Sequence, residues 1–168
     1  MGKEPRTELI DGLIVCKMPG GNAHFLAVSL VFYALQAAFG VGHHLRMQSS
    51  LPLSDEAMPE PDVVVLRGSP RDYDGRDPDP TRDVALVVEV SATTLSYDRT
   101  TKTALYARHG VPEYWIVDLT ARTLEVRRRP LGGGFAETRV YVEGEAIPIR
   151  EGEIAVTDLL PREVGTSA

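Results

Sequence analysis

A chain of 168 residues, 43% hydrophobic and 25% charged, has the length and composition of one soluble domain with its own core. Its single cysteine, Cys16, excludes an intramolecular disulfide and a multi-cysteine zinc site, and fits a reducing cytoplasm. The net charge of −6 argues against bulk charge-driven binding of nucleic acid, yet suits a site that gathers acids around a divalent cation.

The N-terminus, Met1 to Glu8, is rich in charge and carries no signal-peptide apolar region. Glu8 to Val15 reads as a helical turn or extended chain, with Asp11-Gly12 turning into a strand that ends before Pro19. Asn22 is a candidate N-cap for a helix from His24 to Phe39, which has no charged residue. Its apolar residues cover nearly every side, so it is expected to be buried or shared between two chains of a homodimer. Ser29 and Gln36, and fewer than the ~20 apolar residues of a span, argue against a membrane helix.

Residues from Leu45 to Leu53 suggest a strand, and Glu60 to Leu66 a short buried one. Gly68 to Arg82, rich in Pro, Asp, Arg and Gly, is expected to be a mobile loop near the site. Val84 to Ser91 is a buried strand, Ser96 to His109 a helix ended by Gly110, and Glu113 to Asp118 a further strand parallel to Val84–Ser91. Strands at Thr123–Arg128 and Phe135–Val142 flank the Gly132–Gly134 turn. Short pieces at Ile147–Ile149 and Ile154–Val156 lead to a last helical turn at Thr157–Leu160. The pattern is that of a single α/β (α+β) domain, residues 1–168, with a mixed sheet flanked by helices.

The chemistry concentrates between Pro61 and Asp118. Alternation puts Ala85, Val87, Glu89 and Ser91 on one face of their strand. A glutamate in so apolar a strand needs a cation or a proton, although a salt bridge at the strand's end would also serve. Asp62, after Pro61, begins the other apolar run. Alone it could be a turn residue. With Glu89 it could share a hard cation, Mg2+ or in its place Mn2+, with the Val90 carbonyl as a further oxygen.

Lys102, four residues after Asp98, could form a surface pair with it or stand beside the metal and hold a water or phosphate. Glu8, His24, Ser91, Asp98 and Tyr106 are accessory candidates. His43 and His44 read as surface residues. Arg122, Arg127, Arg128 and Arg129 form the basic cluster, of which Arg127, Arg128 and Arg129 are DNA-contact candidates against the plainer reading of a charged strand edge. Tyr114 and Trp115 read as core. The expected function is metal-dependent cleavage of DNA phosphodiesters by a metal-activated water, with Asp62, Glu89 and Lys102 catalytic. The rivals are a catalytically silent binding module for DNA or protein and a hydrolase of another phosphate ester.

Several short motifs occur in a specific order: Leu9-Ile10-Asp11-Gly12, His24, Pro61-Asp62-Val63-Val64-Val65, Val88-Glu89-Val90-Ser91, Asp98-Arg99, Lys102, Tyr106, and Gly110-Val111-Pro112-Glu113-Tyr114-Trp115-Ile116-Val117-Asp118. In these the chain resembles the Uma-two family of endonucleases, within the restriction-endonuclease-like PD-(D/E)XK superfamily. The resemblance runs from about Glu8 to Asp158. It implies a restriction-endonuclease-like core, Mg2+ at Asp62 and Glu89, and an auxiliary lysine. Where the superfamily pattern has a lysine two residues after the glutamate, this chain has Ser91. Lys102, on the following helix, resembles the family's migrated lysine.

Overall fold

The computed structural model describes residues 6–17, 20–150 and 152–163. Its centre is a six-stranded sheet in the order β3-β4-β5-β6-β7-β8: His43–Met47, Val63–Arg67, Val84–Ser91, Glu113–Asp118, Thr123–Leu131 and Gly134–Val142. All neighbours are antiparallel except β5 and β6, which are parallel, as the intervening helix predicts. Nearly every residue of β5 is buried, because this strand is covered on both faces. The sheet is mixed and helix-flanked, so the expected fold class holds.

Two small hairpins accompany the sheet. Thr7–Ile10 (β1) and Leu13–Cys16 (β2) pair through Asp11-Gly12, both at positive φ, as a two-residue turn of this twist requires. The expected alternative of a helical turn there does not occur. Ala146–Ile149 (β9) pairs with Gly152–Ala155 (β10), and a 3-10 turn follows over Val156–Leu159.

One face of the sheet is covered by α1 (Asn22–Phe39), whose Ala27, Val28, Val31 and Leu35 pack on Val63, Val65, Val88, Trp115 and Val117. Each Val or Leu so buried stabilises the fold by roughly 1.5–3 kcal/mol. The helix opens at Asn22 itself, so Gly21 rather than Asn22 is the N-cap, and no side chain caps it. Nor is the helix buried all round: Phe25, Leu26 and Tyr33 are exposed on the face away from the sheet. By length and composition α1 could cross a bilayer, but its opposite face is part of the core.

The other face is covered by a continuous helical segment: α2 (Leu95–Tyr97), a π turn (Asp98–Lys102) and α3 (Thr103–Arg108). Leu105 and Tyr106 pack there on Val64, Val87, Tyr114 and Ile116. Gly110 (φ 74) ends the segment, and a side chain there would strike Thr81.

Further expectations change. The strand at Leu45 begins at His43 and stops at Met47, where Gln48 takes a positive φ, so His43 and His44 are half-buried strand residues. A register shift between Val65 and Leu66 displaces Ala85, which packs with the α1 face rather than with Val87 and Glu89.

The Gly68–Arg82 loop joins the end of β4 to the start of β5, at the sheet end away from Asp62 and Glu89. It contains a 3-10 turn, Pro70–Tyr73, and is pinned by Tyr73 bonding the Arg67 carbonyl and by Arg76 and Arg82 on Asp83. The arginines of the basic cluster each face a carboxylate: Arg122 with Glu143, Arg127 with Glu125, Arg128 with Glu113, Arg129 with Glu137.

Candidate functional site

The β4–β5 register positions the two acids. Val63 pairs with Val88, so one step further Asp62 falls opposite Glu89. Both residues are buried, at 3% and 4% exposure. Directly opposed like charges destabilise a sheet, so this pair carries a cost unless a cation or proton offsets it.

Asp62 is held from three sides. Its Oδ2 accepts the Val90 amide at 2.9 Å, and its Oδ1 lies 3.3 Å from His24 Nε2 and 3.4 Å from Gln48 Nε2. The Val90 amide points at Asp62, and in a strand the N–H and C=O of one residue face the same side. The Val90 carbonyl therefore opens toward the same region. Burial would raise the Asp62 pKa, but the His24 bond, the Lys17 and His24 charges and the Val90 amide bring it below the ordinary value. The same Asp62 bond raises His24 against the opposing pull of burial.

Glu89 is held differently. Its Oε1 accepts Lys102 Nζ at 3.0 Å and Tyr106 Oη at 2.8 Å. Among the described residues no donor reaches Oε2. Burial pushes its pKa up to about 7, with Lys102 and Lys17 opposing and Asp62 and Asp98 adding to the rise.

Lys102 is 2% exposed at its side chain and also donates to Glu8 Oε1 at 2.5 Å. Burial would lower its pKa, but Glu89 and Glu8 raise it. The surface pair with Asp98 does not form. Asp98 is buried, accepts Thr94 Oγ1 at 2.8 Å, and is raised by burial against its Thr94 and Ser91 hydrogen bonds. Between them lies the π turn; such turns occur often at functional sites.

Glu8 reaches the site because the β1–β2 hairpin docks on the segment before Asp62. Leu9 exchanges both backbone bonds with Met58, and Glu60 donates its amide to Glu8 Oε1 at 2.6 Å. Along β1 the period of two turns Glu8 and Ile10 inward.

Of the sequence candidates, the structure thus gathers Asp62, Glu89, Val90, Lys102, Glu8, His24 and Tyr106. Ser91, fully buried, turns instead to Thr94 at 3.3 Å and to Asp98. No hydrogen bond or ion pair joins Lys102 to Asp62 among the described residues. Arg127, Arg128 and Arg129 belong to the β7 ion pairs and not to this cluster.

Three participants were not singled out from sequence. Gln48 bonds Asp62. Lys17 bonds the Glu60 carbonyl and lies 3.9 Å from Glu8. The Tyr97 hydroxyl is buried without a hydrogen-bond partner among the described residues, close enough for Lys102, Glu8, Asp98 and Glu89 to act on it. The available signals were weak: Lys17 lies two residues beyond Val15 and so on one face with it, and Tyr97 directly precedes Asp98.

Among the described residues no group of three or more His, Cys, Asp or Glu side chains is arranged to hold a metal ion. Two opposed carboxylates and one backbone carbonyl nevertheless fit Mg2+, which commonly takes only one or two carboxylates from a protein. The Tyr97 hydroxyl, buried without a hydrogen-bond partner among the described residues, is a polar group beside these acids whose bonding the chain leaves unmet.

Residues 1–157 match the Uma2 family, described as "Putative restriction endonuclease". No curated protein matches the sequence. Among solved structures, a nuclease described as putative and belonging to DUF820, from Anabaena variabilis ATCC 29413, is similar with a TM-score of 0.70. It is 20% identical, over 94% of this chain and 90% of that one, a likeness that speaks to the fold alone.

Proposed function

The chain belongs to the Uma2 family, and from that premise we propose that it is a Mg2+-dependent endonuclease, with Mn2+ as a substitute, that hydrolyses phosphodiester bonds of DNA. The observation that carries this reading is Glu89: a carboxylate buried opposite Asp62, its pKa raised to about 7, with donors among the described residues on one oxygen only. In this reading Asp62, Glu89 and the Val90 carbonyl hold the ion. When bound, the ion supplies Lewis-acid stabilisation of the phosphoryl group and acidifies a water for in-line attack.

The chain's own residues prepare that geometry. Tyr106 and Lys102 fix Glu89, and Lys102 also ties it to Glu8. The Val90 amide and His24 fix Asp62. Lys102 offsets negative charge from inside the cluster. Its two carboxylate partners and 2% exposure also suit the rival reading of a silent binding module.

A plasmid-nicking assay with Mg2+, Mn2+ and EDTA tests the proposal. Nicking restored by either metal and absent in EDTA is expected. DNA binding without nicking would select the binding module; hydrolysis of a simple phosphate ester without nicking would select the other rival.

We further propose a homodimer through the exposed apolar face of α1, in a reducing cytoplasmic setting. Phe25 and Tyr33 lie four residues either side of Ser29, so an antiparallel second helix would set each against the other. Sedimentation as a monomer at micromolar concentration would remove the dimer.

A further inference from the structure

The site contains two lysines with different surroundings. Lys102 lies between Glu8 and Glu89, at 2.5 and 3.0 Å, and its side chain is 2% exposed. Two of its three N–H donors are spent on carboxylates. Any anion approaching it meets those acids first. Such an ammonium neutralises the cluster from within and has little left for a substrate.

Lys17 follows β2 and continues its ladder, its amide bonding the Arg6 carbonyl. On the face it shares with Val15 its ammonium reaches the Glu60 carbonyl and stands 3.9 Å from Glu8 Oε1, the oxygen that also holds Lys102. It therefore belongs to the same network, one step further out. Its charge acts on Asp62, His24 and Glu89. Yet its side chain is 23% exposed, and one hydrogen bond is its only one among the described residues. Two donors remain for a ligand.

We infer that Lys17, on the β1–β2 hairpin, is the cation that contacts the substrate's phosphate backbone at this site, while Lys102 serves as an internal positioning residue for Glu8 and Glu89. This rests on the endonuclease reading above. A polyanion must be met by donors it can reach and that are not already engaged; Lys17 is 23% exposed with two donors left among the described residues, whereas Lys102 is 2% exposed with one. The chemistry recognised is the phosphodiester anion, so the contact is independent of base sequence.

The test is the salt dependence of binding. Each neutralised phosphate contributes a slope of about −0.9 to log Kobs against log[salt] on duplex DNA. Fluorescence anisotropy with a labelled DNA duplex, in Ca2+ and across a salt series, compares the wild type with Lys17→Gln, Lys17→Arg and Lys102→Met. Lys17→Gln should lower the slope magnitude by about 0.9 and weaken binding at low salt, with an unchanged melting temperature. Lys17→Arg should keep the slope. Lys102→Met should keep the slope and shift the melting temperature.

An unchanged slope in Lys17→Gln, or a lost slope in Lys102→Met alone, would overturn the assignment and leave the endonuclease reading standing. Unfolding of Lys17→Gln would make Lys17 a structural residue and overturn it equally. A wild type that neither binds nor nicks DNA would remove the endonuclease reading and this inference together.

Discussion

Strand β5 has a buried carboxylate at each end, and the two have opposite electrostatics. Asp83, just before the strand, accepts Arg76 at 2.5 Å, the Asp79 amide at 2.8 Å, and Arg82 at both oxygens. The Arg82 and Arg76 bonds, against the pull of burial, hold its pKa well below the ordinary value. Glu89, near the other end, has Lys102 and Tyr106 on one oxygen, no donor among the described residues on the second, and Asp62 opposite. Burial there wins and the pKa rises to about 7. An acid whose lone pairs are met by the chain itself holds its own loop in place. An acid left short of donors beside another acid stores an unmet demand for a cation, which is how a binding site differs from a structural ion pair.

The largest expected break in this comparison is Glu89→Gln. The amide keeps the shape and the Tyr106 contact but removes the charge. Nicking should fall by about three orders of magnitude, equivalent to several kcal/mol of lost metal-assisted stabilisation. In EDTA the melting temperature should stay level or rise. Metal-dependent stabilisation that survives in this variant would take Glu89 out of the site.

The pH dependence sharpens the same contrast. Folded Glu89 binds its proton more tightly than unfolded Glu89. Its contribution to metal-free stability is therefore fully present below its ordinary value of 4.5 and is lost as pH rises through about 7. The loss is on the order of 3 kcal/mol. Asp83 has the opposite sign: its contribution is present above its ordinary value of 3.8 and is lost as pH falls through its depressed folded value. Urea unfolding in EDTA between pH 4.5 and 7.5 should show wild-type stability falling relative to Glu89→Gln as pH rises. Parallel curves would mean that Lys102 keeps Glu89 ionised throughout.

Asp83→Asn should act only at the other end. Removing a buried acid from its arginines is costly, but Arg76 and Arg82 are themselves partly exposed at 38% and 67%. A loss of about 1–3 kcal/mol is expected, between the surface and buried extremes. Nicking measured below the melting transition should not change; a loss would show that the loop end communicates with the site.

Arg129→Ala should have the smallest effect. Arg129 and Glu137 are 76% and 53% exposed, so their pair should contribute less than about 0.5 kcal/mol. DNA affinity and its salt slope should stay at wild-type values. A reduced slope would return the β7 arginines to the list of phosphate contacts.

Much of this was legible along the chain. The buried strands, the Asp11-Gly12 turn, the helix after β5 and the parallel crossover follow from period, turn chemistry and strand–helix–strand order, which are local. The extent of α1 was also local. Its one-sided burial was not, because an uncharged helix does not reveal which face another element covers. The Gly68–Arg82 loop misled for a related reason. Its composition suggested mobility, but Asp83 and the arginines that pin it become partners only after the loop has folded back.

The sequence by itself determined that Asp62 opens one buried strand, that Glu89 lies late in the next, and that Lys102 lies on the helix between β5 and β6. The period of a strand and the handedness of a crossover allow little else. Only the tertiary structure decided which oxygens these groups share. Glu8 meets Lys102 across 94 residues because a hairpin with few buried residues of its own docks on the segment before Asp62. That docking also sets Lys17 outside and Lys102 inside. Accessibility is a property of the assembled surface, and no spacing along the chain encodes it.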